Sequence, residues 1–194
     1  MNETRSPSSP HSRKRSRLYL VLIALVFAAP MLVAGLLTLA GWQPGTKGNG
    51  EPIVPQRNFV AEKLDVELAD GRPYAWRDSK PRLTLVALPG PDCAAQCFDL
   101  LTGLAKARVM LNRNQGRLRL LYLGVLPADP QRRAAMEPFW LVGKDVDGKL
   151  ATFRPTSPDS LSVVLVESNG TALSYYPAGF DGPGLARDLQ KVIK

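Results

Sequence analysis

From Leu18 to Trp42 (LYLVLIALVFAAPMLVAGLLTLAGW) the chain runs 25 residues without Asp, Glu, Lys or Arg, and this stretch most constrains its organisation. A helix of about 20 apolar residues crosses a hydrocarbon layer of roughly 30 Å, so 18–42 is expected to be a transmembrane helix. A secretory signal has a shorter apolar stretch, about 7–15 residues, ending in an A-x-A-like site. Leu39-Ala40-Gly41 matches such a site poorly, so the segment is expected to remain as an anchor. Arg13, Lys14, Arg15 and Arg17 directly precede it, which by the positive-inside rule keeps the N-terminus cytoplasmic. Tyr19 and Trp42 lie near its two ends, where amphipathic rings favour the headgroup level. Pro30 falls mid-span and is expected to kink the helix, its freed carbonyl being re-satisfied locally.

The anchor divides the chain. Residues 1–17 are rich in Ser, Pro and Arg and have too little apolar surface to fold, so they read as a disordered cytoplasmic tail. That tail carries Arg5 and the four basic residues above against Glu3, half of the chain's net charge of +8. The basic balance therefore reflects membrane topology, and no stripe of basic and aromatic residues points to a nucleic-acid partner. Residues 43–57, with Pro44, Gly45, Gly48, Gly50, Pro52 and Pro55, read as a linker. Residues 58–194 are expected to form one domain on the far side of the membrane; in a Gram-negative bacterium that is the periplasm.

Within this domain, Leu64–Leu68 and Pro73–Trp76 flank Asp70-Gly71, a hairpin turn pair. Arg82–Leu88 is a nearly continuous apolar run, as a strand buried on both faces would be. Apolar residues at Phe98, Leu101, Leu104, Ala105, Val109 and Leu111 predict an amphipathic helix ending near Asn114-Gln115-Gly116. Leu118–Val125 predicts a second buried strand. Asp129-Pro130 reads as an N-cap with proline in the first helical position, opening a helix to about Leu141. Leu161–Val166 and Ala172–Tyr176 bracket Asn169-Gly170, a second hairpin signal, and a last helix is expected over about 184–193. After the first hairpin the order is β-α-β-α-β-β-α. A parallel pair followed by an antiparallel hairpin and a closing helix makes the fold class α/β, thioredoxin-like. Phe139, Trp140 and Phe153 are expected in its core. Asp145-Val146-Asp147-Gly148 has a calcium-loop flavour but no glutamate at the required spacing, and is read as a surface turn. Asn169-Gly170-Thr171 matches a glycosylation sequon that the hairpin already explains.

Cys93 and Cys97 are the only cysteines, and they fall where the first central strand hands over to its helix. A thiol there meets the positive end of the helix dipole and free N–H groups, which favour thiolate, the species that attacks disulfides and binds soft metals. Two alternatives stay open: a structural disulfide, inefficient because so short a loop removes little chain entropy, or inert core thiols. The only histidine is His11, in the tail. It cannot reach Cys93 across about 30 Å of bilayer, so Ser-His-Asp or Cys-His catalysis and a Cys/His zinc site are excluded from the domain. Met110 and Met136 could add a soft donor for Cu(I), but both are expected in ordinary core packing.

Anchor, Asp70-Gly71, the strand before Cys93-x3-Cys97, the strand and turn over 120–130 and the hairpin over 163–170 with its closing helix together resemble the Sco/SenC family. These are membrane-anchored, thioredoxin-like proteins that assist assembly of the copper centre of cytochrome c oxidase. The resemblance implies an accessory factor acting by thiol–disulfide exchange through Cys93 and Cys97, with Cys93 attacking. It also implies a membrane setting and an oxidase subunit or another assembly factor as partner. Copper is the metal the family handles, which leaves a Cu(I) chaperone using both thiolates, or a non-catalytic scaffold, as alternatives. The chain departs from the family pattern: Ala94 and Phe98 stand where prolines usually follow the cysteines. Asp159-Ser160-Leu161-Ser162, with Leu161 nearest in alignment, stands where the family has its copper-ligand histidine.

Overall fold

The computed structural model describes residues 10–39 and 48–193, and the chain divides into two units, 1–47 and 48–194. In the first unit, helix α1 runs Pro10–Leu39 with Pro30 inside it. Among its described side chains, Phe27 is 76% and Met31 80% exposed. Among the described residues no helix is long and apolar enough to cross a membrane. The first part of the expected tail (1–9) and the end of the expected span (40–42) lie outside the described residues.

The second unit is built on a seven-stranded sheet. Its strands are β1 Glu51–Pro52, β2 Val66–Leu68, β3 Leu83–Pro89, β4 Leu118–Leu123, β5 Trp140–Asp145, β6 Leu161–Glu167 and β7 Ala172–Tyr176. Their order is β1-β7-β6-β3-β4-β5-β2. Strand β3 sits at the centre, parallel to β4 and antiparallel to β6. The period of two along each strand explains why the central run is apolar throughout. Leu85, Ala87, Leu120, Tyr122, Val163 and Leu165 face one core, while Val86, Leu88, Leu121, Leu123, Val164 and Val166 face another. Both sheet faces are therefore covered, and each fully buried aliphatic side chain contributes about 1.5–3 kcal/mol.

Helices α2 (Ala95–Met110) and α4 (Gly182–Val192) contribute Leu101, Leu104, Leu185 and Leu189 to the first core. A short 3-10 segment, Asn112–Arg117, leads from α2 into β4. The second core is closed by Phe59, Trp76, Leu150 and Phe153, with Trp76 Nε1 donating to the carbonyl of Leu64 at 2.9 Å. The segment read as linker is described from residue 48. There, Asn49 donates through backbone and side chain to Asp188 Oδ2, and β1 pairs with β7.

Both expected hairpin turns form, with Gly71 at φ 81° and Gly170 at φ 89°, the positive region that favours glycine. The first differs in its arms: β2 is three residues long and its regular partner is β5, while Pro73 makes only an isolated bridge to Glu67. The larger correction concerns the helix expected to reach Leu141. Helix α3 spans only Pro130–Met136, although Asp129 caps it as expected, accepting from the Gln131 N–H at 2.9 Å. Trp140 and Leu141 instead begin β5, parallel to β4. The helical apolar spacing in this stretch is too short to outweigh a free sheet edge, where Trp140 is buried at 4% exposure. Phe153 is buried as expected, but Phe139, at 37% exposure, is not in the core, and neither is Met110 at 62%.

Candidate functional site

Strand β3 ends at Pro89, and α2 begins at Ala95. The turn between them carries Cys93, and Cys97 lies in the first turn of the helix. The two cysteines form a disulfide with their Cα atoms 5.1 Å apart. They are unequal: Cys93 is partly exposed, whereas Cys97 is fully buried in the first core. Cys93 borders a cleft of about 360 Å³ shared with Tyr122, Val125, Lys144 and Arg154. Arg154 ties two of the cleft's lining segments together, donating to the carbonyls of Leu123 at 2.7 Å and Pro89 at 3.3 Å. Burial pushes the Tyr122 hydroxyl up to about 12, against the pull of the Arg154 charge. That hydroxyl donates to the carbonyl of Val125 at 3.1 Å.

Because Pro89 pairs with Leu161 across the β3–β6 ladder, the loop entering β6 must lie beside the cysteine turn. Asp159 sits in that loop with φ 45°, a left-handed conformation that aspartate tolerates better than most residues. Its carboxylate caps α2 from outside the helix. Oδ1 accepts from the N–H groups of Ala94 at 2.8 Å and Cys97 at 2.9 Å, and Oδ2 accepts from Gln96 at 2.9 Å. Helix α2 has no side-chain cap from Ala94 itself. The amides of Cys97 and Gln96 hold the Asp159 carboxyl below the usual carboxylate range against the opposing effect of burial, with smaller contributions from the amides of Ala94 and Ala95. The seam is closed from the other side as well. The Asp159 N–H donates to Asp92 Oδ1 at 2.7 Å, and the Gly90 N–H donates to the Ser160 carbonyl at 2.9 Å. Arg132 of α3 donates to the Ala94 carbonyl at 3.2 Å and lies 5.2 Å from the Phe98 ring centroid.

The profile described as "Transmembrane-like, thioredoxin-like, C-terminal domain" matches residues 83–194. The chain belongs to this thioredoxin-like family. The match begins at β3 and takes in the disulfide turn, the Asp159 loop and the closing helix. No curated protein matches the sequence. Among solved structures, the domain is similar to the bacterioferritin comigratory protein of Xanthomonas campestris. The TM-score is 0.50 at 12% identity, over 76% of this chain and 98% of that one, which supports the thioredoxin-like fold alone. Sco proteins are also among its structural neighbours. Copper-bound ScoI of Arabidopsis thaliana gives a TM-score of 0.49 at 16% identity, covering 74% of this chain and 97% of that one. Apo Sco1 of Thermus thermophilus gives 0.48 at 17%, covering 78% and 96%.

The thioredoxin-like site thus brings together the two cysteines singled out in the sequence, already bonded to each other. It does not bring Met110 to them: thirteen residues along α2 separate it from Cys97, roughly 20 Å at the helical rise. Met136 is buried in the first core at 2% exposure. Among the described residues no group of three His, Cys, Asp or Glu side chains could hold a metal ion. The carboxylate that faces the cysteines is a hard donor. This donor set does not fit a copper centre of the Cys2His kind. Asp159 itself was legible in the sequence only as part of the stretch lacking a histidine. The signal that could have found it is the β3–β6 pairing, which places that stretch against the cysteines.

Proposed function

We propose that this is a membrane-anchored, Sco-like accessory factor that acts by thiol–disulfide exchange through Cys93 and Cys97 during cytochrome c oxidase assembly. The observation that carries the chemistry is the disulfide at the start of α2, with one sulfur partly exposed beside a cleft and the other buried. In this reading the reduced pair meets a partner disulfide: the Cys93 thiolate attacks one partner sulfur, the partner S–S bond breaks, and the other partner sulfur leaves as a thiolate and takes up a proton. Cys97 then gives up its proton and displaces the partner from Cys93, re-forming the Cys93–Cys97 bond, so the partner is reduced by two electrons and the pair oxidised. The anchoring rests on the uncharged run 18–42 and the basic residues before it, and on the family's transmembrane-like description. With the tail in the cytoplasm the domain faces the periplasm, where a disulfide persists. The oxidase as target rests on the Sco/SenC resemblance.

The test is the redox state of the pair in intact cells by thiol-alkylation gel shift, followed by the reduction potential of the protein. A potential above about −300 mV marks a working couple. A pair always oxidised and resistant to reduction makes the disulfide structural and turns the reading to a docking scaffold. Stoichiometric Cu(I) held by the reduced protein against a chelator, and lost in Cys93→Ser, would favour the chaperone instead.

A further inference from the structure

Helix N-termini activate cysteines by offering unpaired N–H groups to a thiolate. In this protein those donors are taken. The amides of Ala94, Gln96 and Cys97 all point to one carboxylate, that of Asp159, at 2.8–2.9 Å. The residue that carries it is anchored in turn to Asp92. We propose that Asp159 is a positioning residue that biases the Cys93–Cys97 couple towards the disulfide by occupying the amide donors at the start of α2. This rests on the thiol–disulfide reading above and deepens it.

The physical argument concerns the state that reduction creates. When the S–S bond breaks, Cys97 must leave as a thiolate within a site where it is fully buried. Burial disfavours the charge, and the neighbouring carboxylate disfavours it again. The groups that could offset this, the helix amides, already hydrogen-bond to that carboxylate. Arg132 of α3 is directed to the Ala94 carbonyl and to Asp129, 3.7 Å away, and Arg154, which with Lys144 borders the cleft beside Cys93, is directed to the carbonyls of Leu123 and Pro89. A leaving thiol of high pKa leaves slowly, and an unstabilised reduced pair is reoxidised readily. Asp159 therefore makes the couple a weak oxidant at a position where a bare helix N-terminus would make a strong one.

The experiment equilibrates the detergent-solubilised full chain with glutathione buffers of set ratio and reads the reduced fraction by alkylation. A companion measurement follows the rate of iodoacetamide alkylation of the reduced chain against pH. Asp159→Asn keeps a capping oxygen without the charge. It is expected to shift the equilibrium about tenfold towards the dithiol, about 30 mV for this two-electron couple, and to move the alkylation profile to lower pH. Asp159→Ser, a shorter neutral cap, is expected to move both the same way. Both variants unfolding more easily, with equilibrium and profile unmoved, would show a purely structural cap and overturn the proposal. The wild-type profile decides independently of any variant: a midpoint below the ordinary thiol value of about 8.5 overturns it. A wild-type disulfide that dithiothreitol cannot reduce without unfolding the chain would end the exchange reading as well. That result is distinct from a working couple that Asp159 does not tune.

Discussion

Replacing Gly90 by alanine tests whether the two loops over the disulfide share one tight seam. A Cβ at Gly90 would lie 2.2 Å from the carbonyl oxygen of Ser157 and 2.9 Å from Ser160 Oγ. Carbon and oxygen rest at roughly 3.3–3.6 Å, so the loop carrying Asp159 must retreat by about 1 Å. The Gly90–Ser160 bond is 2.9 Å and the three bonds to Asp159 are 2.8–2.9 Å. A retreat of that size takes each beyond the normal limit of about 3.2 Å. Overpacking costs about 1–3 kcal/mol and each lost hydrogen bond about 0.5–1.5. A loop that retreats relieves the overlap, so the cost is that of the four bonds, taken near the low end at this partly exposed loop, about 2–3 kcal/mol. The assay is urea unfolding and, separately, thermal unfolding of the oxidised full chain in detergent, both followed by tryptophan fluorescence, with Trp76 and Trp140 reporting from the two cores. At about 2–4 °C per kcal/mol the melting temperature falls by about 4–12 °C. Gly103→Ala is the control: nothing lies within 4 Å of its Cβ position in α2, so it should gain about 0.5–1 kcal/mol. A Gly90→Ala chain within about 0.5 kcal/mol of the parent would refute the seam.

Leu88→Ala, at a side chain with 0% exposure in the central strand, should cost about 2–5 kcal/mol in the same unfolding assay. Tyr74→Phe removes the 2.7 Å bond to Thr84 Oγ1 between two buried side chains, and should cost about 1–2 kcal/mol. Burial raises Tyr122 and Tyr176 from 10.0 to about 12. The unfolded chain ionises first, so stability should fall as pH rises from about 10 to about 12, and Tyr122→Phe should lessen that fall in alkaline unfolding curves. Burial pushes the Asp188 carboxyl up, but bonds from Asn49 and Lys191 outweigh it and hold it below 3.8. Its contribution is therefore present above that value and lost as pH falls through the lower folded value, and Asp188→Asn should flatten acid unfolding there.

The sheet was legible where the pattern is strong. A run such as Arg82–Leu88 cannot lie anywhere but a covered strand, and Asn169-Gly170 can hardly be anything but a turn. The fold lost legibility over 137–145, where aromatic and aliphatic residues suit either period and the edge of β4 decided for strand. Met110 and Phe139 show the same weakness: composition says that they are apolar, not that a neighbour arrives to cover them.

The sequence by itself determined the uncharged run, its basic flank, the strand–helix boundary that holds both cysteines, and the lack of any histidine beyond His11. These are local facts, set by residue type and spacing along the chain. Only the tertiary structure decided what faces the disulfide. Asp159 lies 62 residues from Cys97, and no local pattern joins them. They meet because β3 and β6 pair antiparallel in the register that sets Pro89 against Leu161, so that a hydrogen-bonded ladder carries a carboxylate to the one helix end where it matters.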